Sequence, residues 1–305
     1  MCSLEKAIES WMVMYKEKSV KASTYDRMKT SFELMKHYPI SAVDTSTIGV
    51  EDIQNYVNKL VDDGYALSTI KKQYHLIGAF IEHENLMGNM TRPIHKGVKL
   101  PSESVVKKDK KEVCFYTRDE QDKLKAILWR ENNPACDVAL IMLETGMRVG
   151  EALALCWSDI DWRRRAVRIS KTVVRIVHQK KSYVQQSAKS HSSNRTIPLS
   201  NDAYDILDKI YKRGPVGSYV FHNEDGSRIS YEALRWRVSK ACDEAGVPYY
   251  GQHVFRHTFA SNCYERGCDV KKLSRLLGHS DVTITYNVYI HLFGDELEEL
   301  RSVLG

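Results

Sequence analysis

Helical periodicity runs through most of this chain and gives way to strand composition only once, between Ala166 and Ser200. Val167 and Ile169, then Val173, Val174, Ile176 and Val177, then Tyr183 and Val184 carry strand composition there. Thr196-Ile197-Pro198-Leu199 reads as a returning strand, and Lys189 to Asn194 before it has turn chemistry. A β-rich stretch this short inside a helical chain sets the fold class: mainly α with a small antiparallel β-sheet.

The same region is chemically unusual. From Trp162 to Asn201 there is no Asp or Glu, while Arg163, Arg164, Arg165, Arg168, Lys171, Arg175, Lys180, Lys181, Lys189 and Arg195 fall within it. A solvated face normally mixes its signs, so an acid-free segment of this length points to a polyanion, and nucleic acid is the expected partner. Arg163, Arg164, Arg165 and Lys171 are the contact candidates. The net charge of +6 is by itself a weak hint.

The first hundred residues read as a helical bundle. Ile8, Trp11, Met12 and Tyr15 recur at helical spacing over Leu4–Glu17. Ser23 with Asp26 forms a capping pair for a second helix, Val50 to Asp63 is a third closed by Gly64, and Ser68 opens a fourth that stops near Gly88. Thirteen basic residues against twelve acidic ones leave residues 1–100 almost neutral. Residues 93–112 lose periodicity, carry Pro93, Gly97 and Pro101, and end in Lys107, Lys108, Lys110 and Lys111. They read as a basic linker, either simply solvated or lying along a nucleic-acid backbone. A second domain spans 113–305. Thr117 and Glu120 form a capping box, Pro134 starts the next helix, and Gly146 breaks it before Gly150-Glu151 begins another. Arg148 therefore sits at a helix–helix junction. Ser200 and Ser230 cap later helices, and Asp295 to Leu304 is a last amphipathic piece.

Several classes are excluded. No apolar run is long enough to span a bilayer, and the N-terminus has no apolar signal region. The expected location is the cytoplasm. Seven cysteines form no CxxC pair, which fits reduced thiols, with Cys156 and Cys242 as buried small hydrophobes. His253 and His257 have metal-ligand spacing, but Val254 stands where a zinc helix carries Glu, so no metal is expected.

The chemistry concentrates between His253 and His291. His253 and Arg256 lie one helical turn apart, Gly278-His279 follows, and Tyr289 comes ten residues later. A cation, two imidazoles and a phenol in this order suit phosphoryl transfer on a phosphodiester. The set still needs a second cation and an acid for the leaving oxygen. Arg148 and Lys189 are the candidates, with Lys180 and Lys181 competing for the second role.

These boxes resemble the tyrosine recombinases, the phage integrase family. Thr145-Gly146-Met147-Arg148-Val149-Gly150-Glu151-Ala152-Leu153 is similar to the family's first arginine box, His253-Val254-Phe255-Arg256-His257 to its H-x-L-R-H box with Phe for Leu, and Leu277-Gly278-His279-Ser280 to its L-G-H box. Integrases of Gram-positive phages and conjugative transposons are the most similar. The resemblance implies a helical core-DNA-binding domain over 1–92 and an α+β catalytic domain over 113–305 with a C-terminal tail helix. It implies that Arg148 and Arg256 grip the scissile phosphate, His279 donates to a non-bridging oxygen, and His253 assists the nucleophile's proton. Lys189 would protonate the leaving 5′-oxygen and Glu151 would orient the arginine or histidine. Tyr289 would form a 3′-phosphotyrosine; Tyr286 lies one turn earlier, and the following Ile290-His291-Leu292 favours Tyr289. No cofactor is implied, because the ester retains the bond energy. The implied activity is integration or excision of a mobile element through a Holliday junction. The implied partners are double-stranded DNA attachment sites, a tetramer of the chain on DNA, and an excisionase or DNA-bending protein. A type IB topoisomerase-like relaxase and a catalytically inactive DNA-binding protein are the alternatives. Many family members carry a small arm-binding domain ahead of the helices with which this chain opens, so that domain is either absent or removed.

Overall fold

The computed structural model describes residues 2–106, 114–179, 181–186 and 194–289, with side chains as far as residue 286. The chain divides into two compact units, residues 1–110 together with 175–182, and residues 111–174 together with 183–305.

The first unit is a bundle of α1 (Leu4–Trp11), α2 (Ala22–Lys36), α3 (Val50–Asp62) and α4 (Leu67–Leu86). The apolar stripes anticipated from spacing meet in one core that holds Leu4, Ile8, Trp11, Met35, Ile53, Leu60, Ile77 and Phe80. Three local expectations are corrected. The first helix is α-helical only to Trp11 and continues as a π-helix over Met12–Lys16. Helix α2 begins at Ala22 after Lys21, with no side-chain cap. Its supposed capping partner Asp26 is buried and instead accepts from the backbone N–H groups of Val177 (2.9 Å) and His178 (3.0 Å). A carboxylate that meets two backbone donors elsewhere in this unit is better satisfied than one shared with its own helix end. Helix α4 begins at Leu67, so Ser68 lies inside it.

The second unit is built around α6 (Pro134–Thr145), whose residues from Ala135 to Leu143 are all buried. A helix buried on every side needs cover on every side. It receives this from α5 (Arg118–Arg130), α8 (Asn201–Lys212), α9 (Tyr231–Ala245) and α10 (His253–Glu265). The Thr117–Glu120 capping box, Pro134 at the first turn of α6 and the Ser200 and Ser230 caps form as their sequences dictate. Cys242 is buried, whereas Cys156 is partly exposed, contrary to expectation.

The β-rich stretch resolves into two sheets. Strands β1 (Ile160–Asp161), β2 (Ala166–Ile169) and β5 (Arg195–Pro198) form an antiparallel sheet in the order β1-β2-β5. Strands β3 (Lys171–Ile176) and β4 (Lys181–Gln186) pair separately, as an excursion between β2 and β5. The register of β2 with β5 sets Ile169 opposite Arg195. The unit also holds three short α-helices, α7 (Val149–Leu153), α11 (Val270–Leu277) and α12 (Val282–Tyr289). Lys107, Lys108, Lys110, Lys111, Lys180, Lys189 and the amphipathic piece 295–304 lie outside the described residues.

Candidate active site

The site begins at the break between α6 and α7. Gly146 ends α6 in the left-handed region (φ 65°), and a Cβ there would lie 2.4 Å from Phe259 Cδ1. Only glycine fits both the turn and the contact. The turn delivers Arg148 in extended conformation as the N-cap of α7. Its backbone N–H donates to Glu151 Oε2 (2.8 Å) and its guanidinium Nη1 to Glu151 Oε1 (3.0 Å). A single carboxylate thus holds both the main chain and the side chain of the arginine.

Helix α11 supplies the opposite wall. It ends on Gly278, in the left-handed region, and backbone N–H groups of Gly278 and His279 close the Arg275 and Ser274 carbonyls. The next three carbonyls each receive an arginine. Leu276 O accepts from Arg195 Nε (2.7 Å), Leu277 O from Arg256 Nη2 (2.7 Å), and Gly278 O from Arg148 Nη2 (3.0 Å). Arg256 also donates through Nη1 to Gly146 O (2.8 Å), tying the α6 end to the α11 end. The negative end of a helix suits cations, and here it collects three.

Glu151 and Arg195 are both deeply buried, with side chains 5% and 7% exposed, while Arg148 is 38% exposed. Burial alone would raise the Glu151 carboxyl, but the Arg195 and Arg148 guanidiniums outweigh it and hold the pKa below the ordinary carboxylate range. His279 follows Gly278 and places Nδ1 2.7 Å from the hydroxyl of Thr285, which is fully buried. Burial first, then Arg256, Arg148, Arg195 and His257, push its imidazole down to about 4. His253 opens α10 with one side in solvent. Loss of hydration against the surrounding protein, then Arg256 and Arg148, lowers its pKa as well.

Arg148, Glu151, Arg256 and His279 are therefore brought together, with His253 within their electrostatic reach. Tyr289 is the last residue of α12, described by its backbone; Tyr286, one turn earlier, is exposed. The basic candidates of the β region behave differently from one another. Arg163 and Arg164 are exposed in the β1–β2 turn. Arg165 lies over the Tyr204 ring at 4.5 Å and donates to Asn201 (3.0 Å). Lys171 is 18% exposed and sits 2.9 Å from Asp159. Sequence reasoning did not single out Arg195 or Thr285. For Arg195 the usable signal was strand alternation, because it shares a face with Ile197 and Leu199, both buried. Among the described residues, no cluster of His, Cys, Asp and Glu is arranged to hold a metal ion. No described helix is long and apolar enough to cross a membrane.

Residues 115–296 match the model of the phage integrase family. The chain belongs to that family. As a member it is a tyrosine-type site-specific recombinase. It is 27% identical to a tyrosine recombinase XerC-like protein of Caldanaerobacter subterraneus subsp. tengcongensis, over 95% of this chain and 79% of that one. It is 22% identical to the transposase from transposon Tn916 of Enterococcus faecalis, over 93% and 73%. Among solved structures, the Tn1549 transposon integrase in complex with a circular intermediate DNA superposes with a TM-score of 0.78 at 16% identity, over 98% of this chain and all of that one. A lambda integrase tetramer bound to a Holliday junction gives 0.66 at 17% identity, over 94% and 77%. The mainly α fold with small antiparallel sheets is the fold of these integrases.

Proposed function

We propose that this recombinase cuts and rejoins double-stranded DNA at the attachment sites of a mobile element, with Tyr289 as nucleophile. The tyrosine oxygen bonds to phosphorus as the bond to the 5′-oxygen breaks, which leaves a 3′-phosphotyrosine and a free 5′-hydroxyl. His253 assists the departure of the tyrosine's proton, and Lys189 supplies one to the leaving oxygen. One phosphodiester is exchanged for another, the 3′-phosphotyrosyl ester, so rejoining needs no external energy source and no cofactor. The 5′-end of a partner strand reverses the step and produces a Holliday junction.

The observation that carries this reading is the convergence of Arg148, Arg256 and His279 on the last turn of α11. Two guanidiniums present planar N–H donors suited to the non-bridging oxygens of a phosphate. His279 is neutral at physiological pH. In the tautomer in which the Thr285 hydroxyl donates to Nδ1, Nε2 carries the proton and can donate to the same phosphate. The exposed Arg163 and Arg164 suit backbone phosphates outside the reacting centre. Work in the cytoplasm at the nucleoid, assembly into a tetramer on DNA, and assistance by an excisionase or DNA-bending protein complete the proposal.

Tyr289→Phe removes the nucleophile and nothing else. It should bind duplex DNA with wild-type affinity yet form no covalent adduct with a nicked suicide duplex, as read on a denaturing gel. Adduct formation by that variant rules out Tyr289. Supercoil relaxation without recombinant product would instead identify a relaxase.

A further inference from the structure

We infer that Arg195 is a positioning residue of the recombination reaction, holding Glu151 and the end of α11 so that Arg148 and His279 meet the phosphate in register. This inference rests on the proposed roles of Arg148, Arg256, His279 and Tyr289. Arg195 does not reach DNA itself, since its side chain is only 7% exposed. Its contacts point inward. Nη1 and Nη2 take the two oxygens of Glu151 at 3.0 and 2.8 Å, a fork-on-fork pairing, and Nε takes Leu276 O at 2.7 Å.

Each contact leads to a residue that faces the reaction. The two Glu151 oxygens engaged by Arg195 are those that hold the Arg148 guanidinium and the Arg148 backbone N–H. Leu276 O stands beside the carbonyls that hold Arg256 and Arg148, and three residues before His279. Arg195 is itself fixed at the start of β5 by its pairing with β2. The geometry demands arginine. An ammonium cannot fork a carboxylate and reach a carbonyl on another helix at once.

The charges acting on Glu151 are Arg195 from β5 and Arg148 at the N-cap of its own helix. Without Arg195, burial is opposed by Arg148 alone, and the carboxyl takes up a proton more readily as pH falls. Protonated, it loses its grip on Arg148.

The test uses the full chain and a nicked suicide duplex carrying a site recovered by covalent selection with the wild-type protein from randomised DNA. At saturating protein, R195Q should cleave about 10²-fold more slowly, the scale of a small misplacement of reacting groups, with duplex affinity unchanged. Its pH–rate profile should gain, beyond the acid limb that protonation of His253 and His279 gives the wild type, a further acid limb that is missing from the R195Q/E151Q double variant, because glutamine does not titrate. A merely structural loss would produce no such limb. Should R195Q not fold, R195K is read in its place and should be slower by about tenfold, since it keeps the charge and loses the fork. A folded R195Q or R195K that cleaves like wild type overturns the inference, as does a further acid limb, beyond that of wild type, that persists in the double variant. Y289F is run alongside: a covalent adduct from it sinks the underlying catalytic reading, whereas an inert Y289F beside a wild-type-like R195Q sinks only the role of Arg195.

Discussion

Burial and the nearby Arg256, Arg148 and Arg195 guanidiniums keep His279 neutral well below physiological pH. That has a cost in acid. The unfolded chain takes up a proton on this imidazole near the ordinary value of 6.5, while the folded chain resists until about 4. Between those values the unfolded state binds more protons, so stability is lost as pH falls through the window. His253 is shifted in the same direction and adds to the slope. The urea midpoint of wild type should therefore drop between pH 6.5 and 4 more steeply than that of His279→Gln. Parallel curves for the two proteins would show that His279 carries no part of the acid sensitivity.

At the level of elements, the site is assembled from helix ends. Helix α6 stops at Gly146, α7 starts at Arg148, and α11 stops at Gly278, so the groups that interact across the site are carbonyls and caps. Helix ends leave unpaired backbone groups, and here arginines satisfy them. The α6 break depends on one residue. Gly146→Ala sets a Cβ in the left-handed region, which costs about 1–2 kcal/mol, and drives it against Phe259 besides. A loss of at least ~2 kcal/mol in urea unfolding is expected, together with slower cleavage, because the Gly146 carbonyl anchors Arg256. A variant as stable as wild type would mean that the turn tolerates a side chain.

For the whole molecule, the relevant property is charge distribution. The net charge is +6, and the acid-free stretch around the small sheet exposes Arg163 and Arg164 while burying Arg195 and half-hiding Lys171. Basic residues in one segment thus have two destinations, solvent and the site interior. The double variant R163A/R164A should weaken duplex binding evenly across sequences and lower the salt slope by about 2 if each arginine neutralises a phosphate. Cleavage at saturating protein should not change. Fluorescence anisotropy across a potassium chloride series reads the slope, and a wild-type slope removes both arginines from the DNA contacts.

The helical spacings, the Thr117, Ser200 and Ser230 caps, the Gly146 break and the ordered boxes around Arg148, Arg256, His279 and Tyr289 depend on neighbours within a few residues, and so they were legible in the chain. The π-helical turn after Trp11 and the separate pairing of β3 with β4 were not, and the use of Asp26 by Val177 and His178 was not because those partners lie far along the chain. Arg195 is the sharpest case. By composition it belonged to a run of surface cations, and its alternation with Ile197 and Leu199 was the one local hint of burial. Glu151, forty-four residues earlier, and Leu276, eighty-one residues later, make it part of the site. The sequence by itself determined which chemical groups this recombinase carries and which helices present them. Only the tertiary structure decided that three arginines close on the end of one helix, because a buried charge is stable only where its partners from distant segments arrive together.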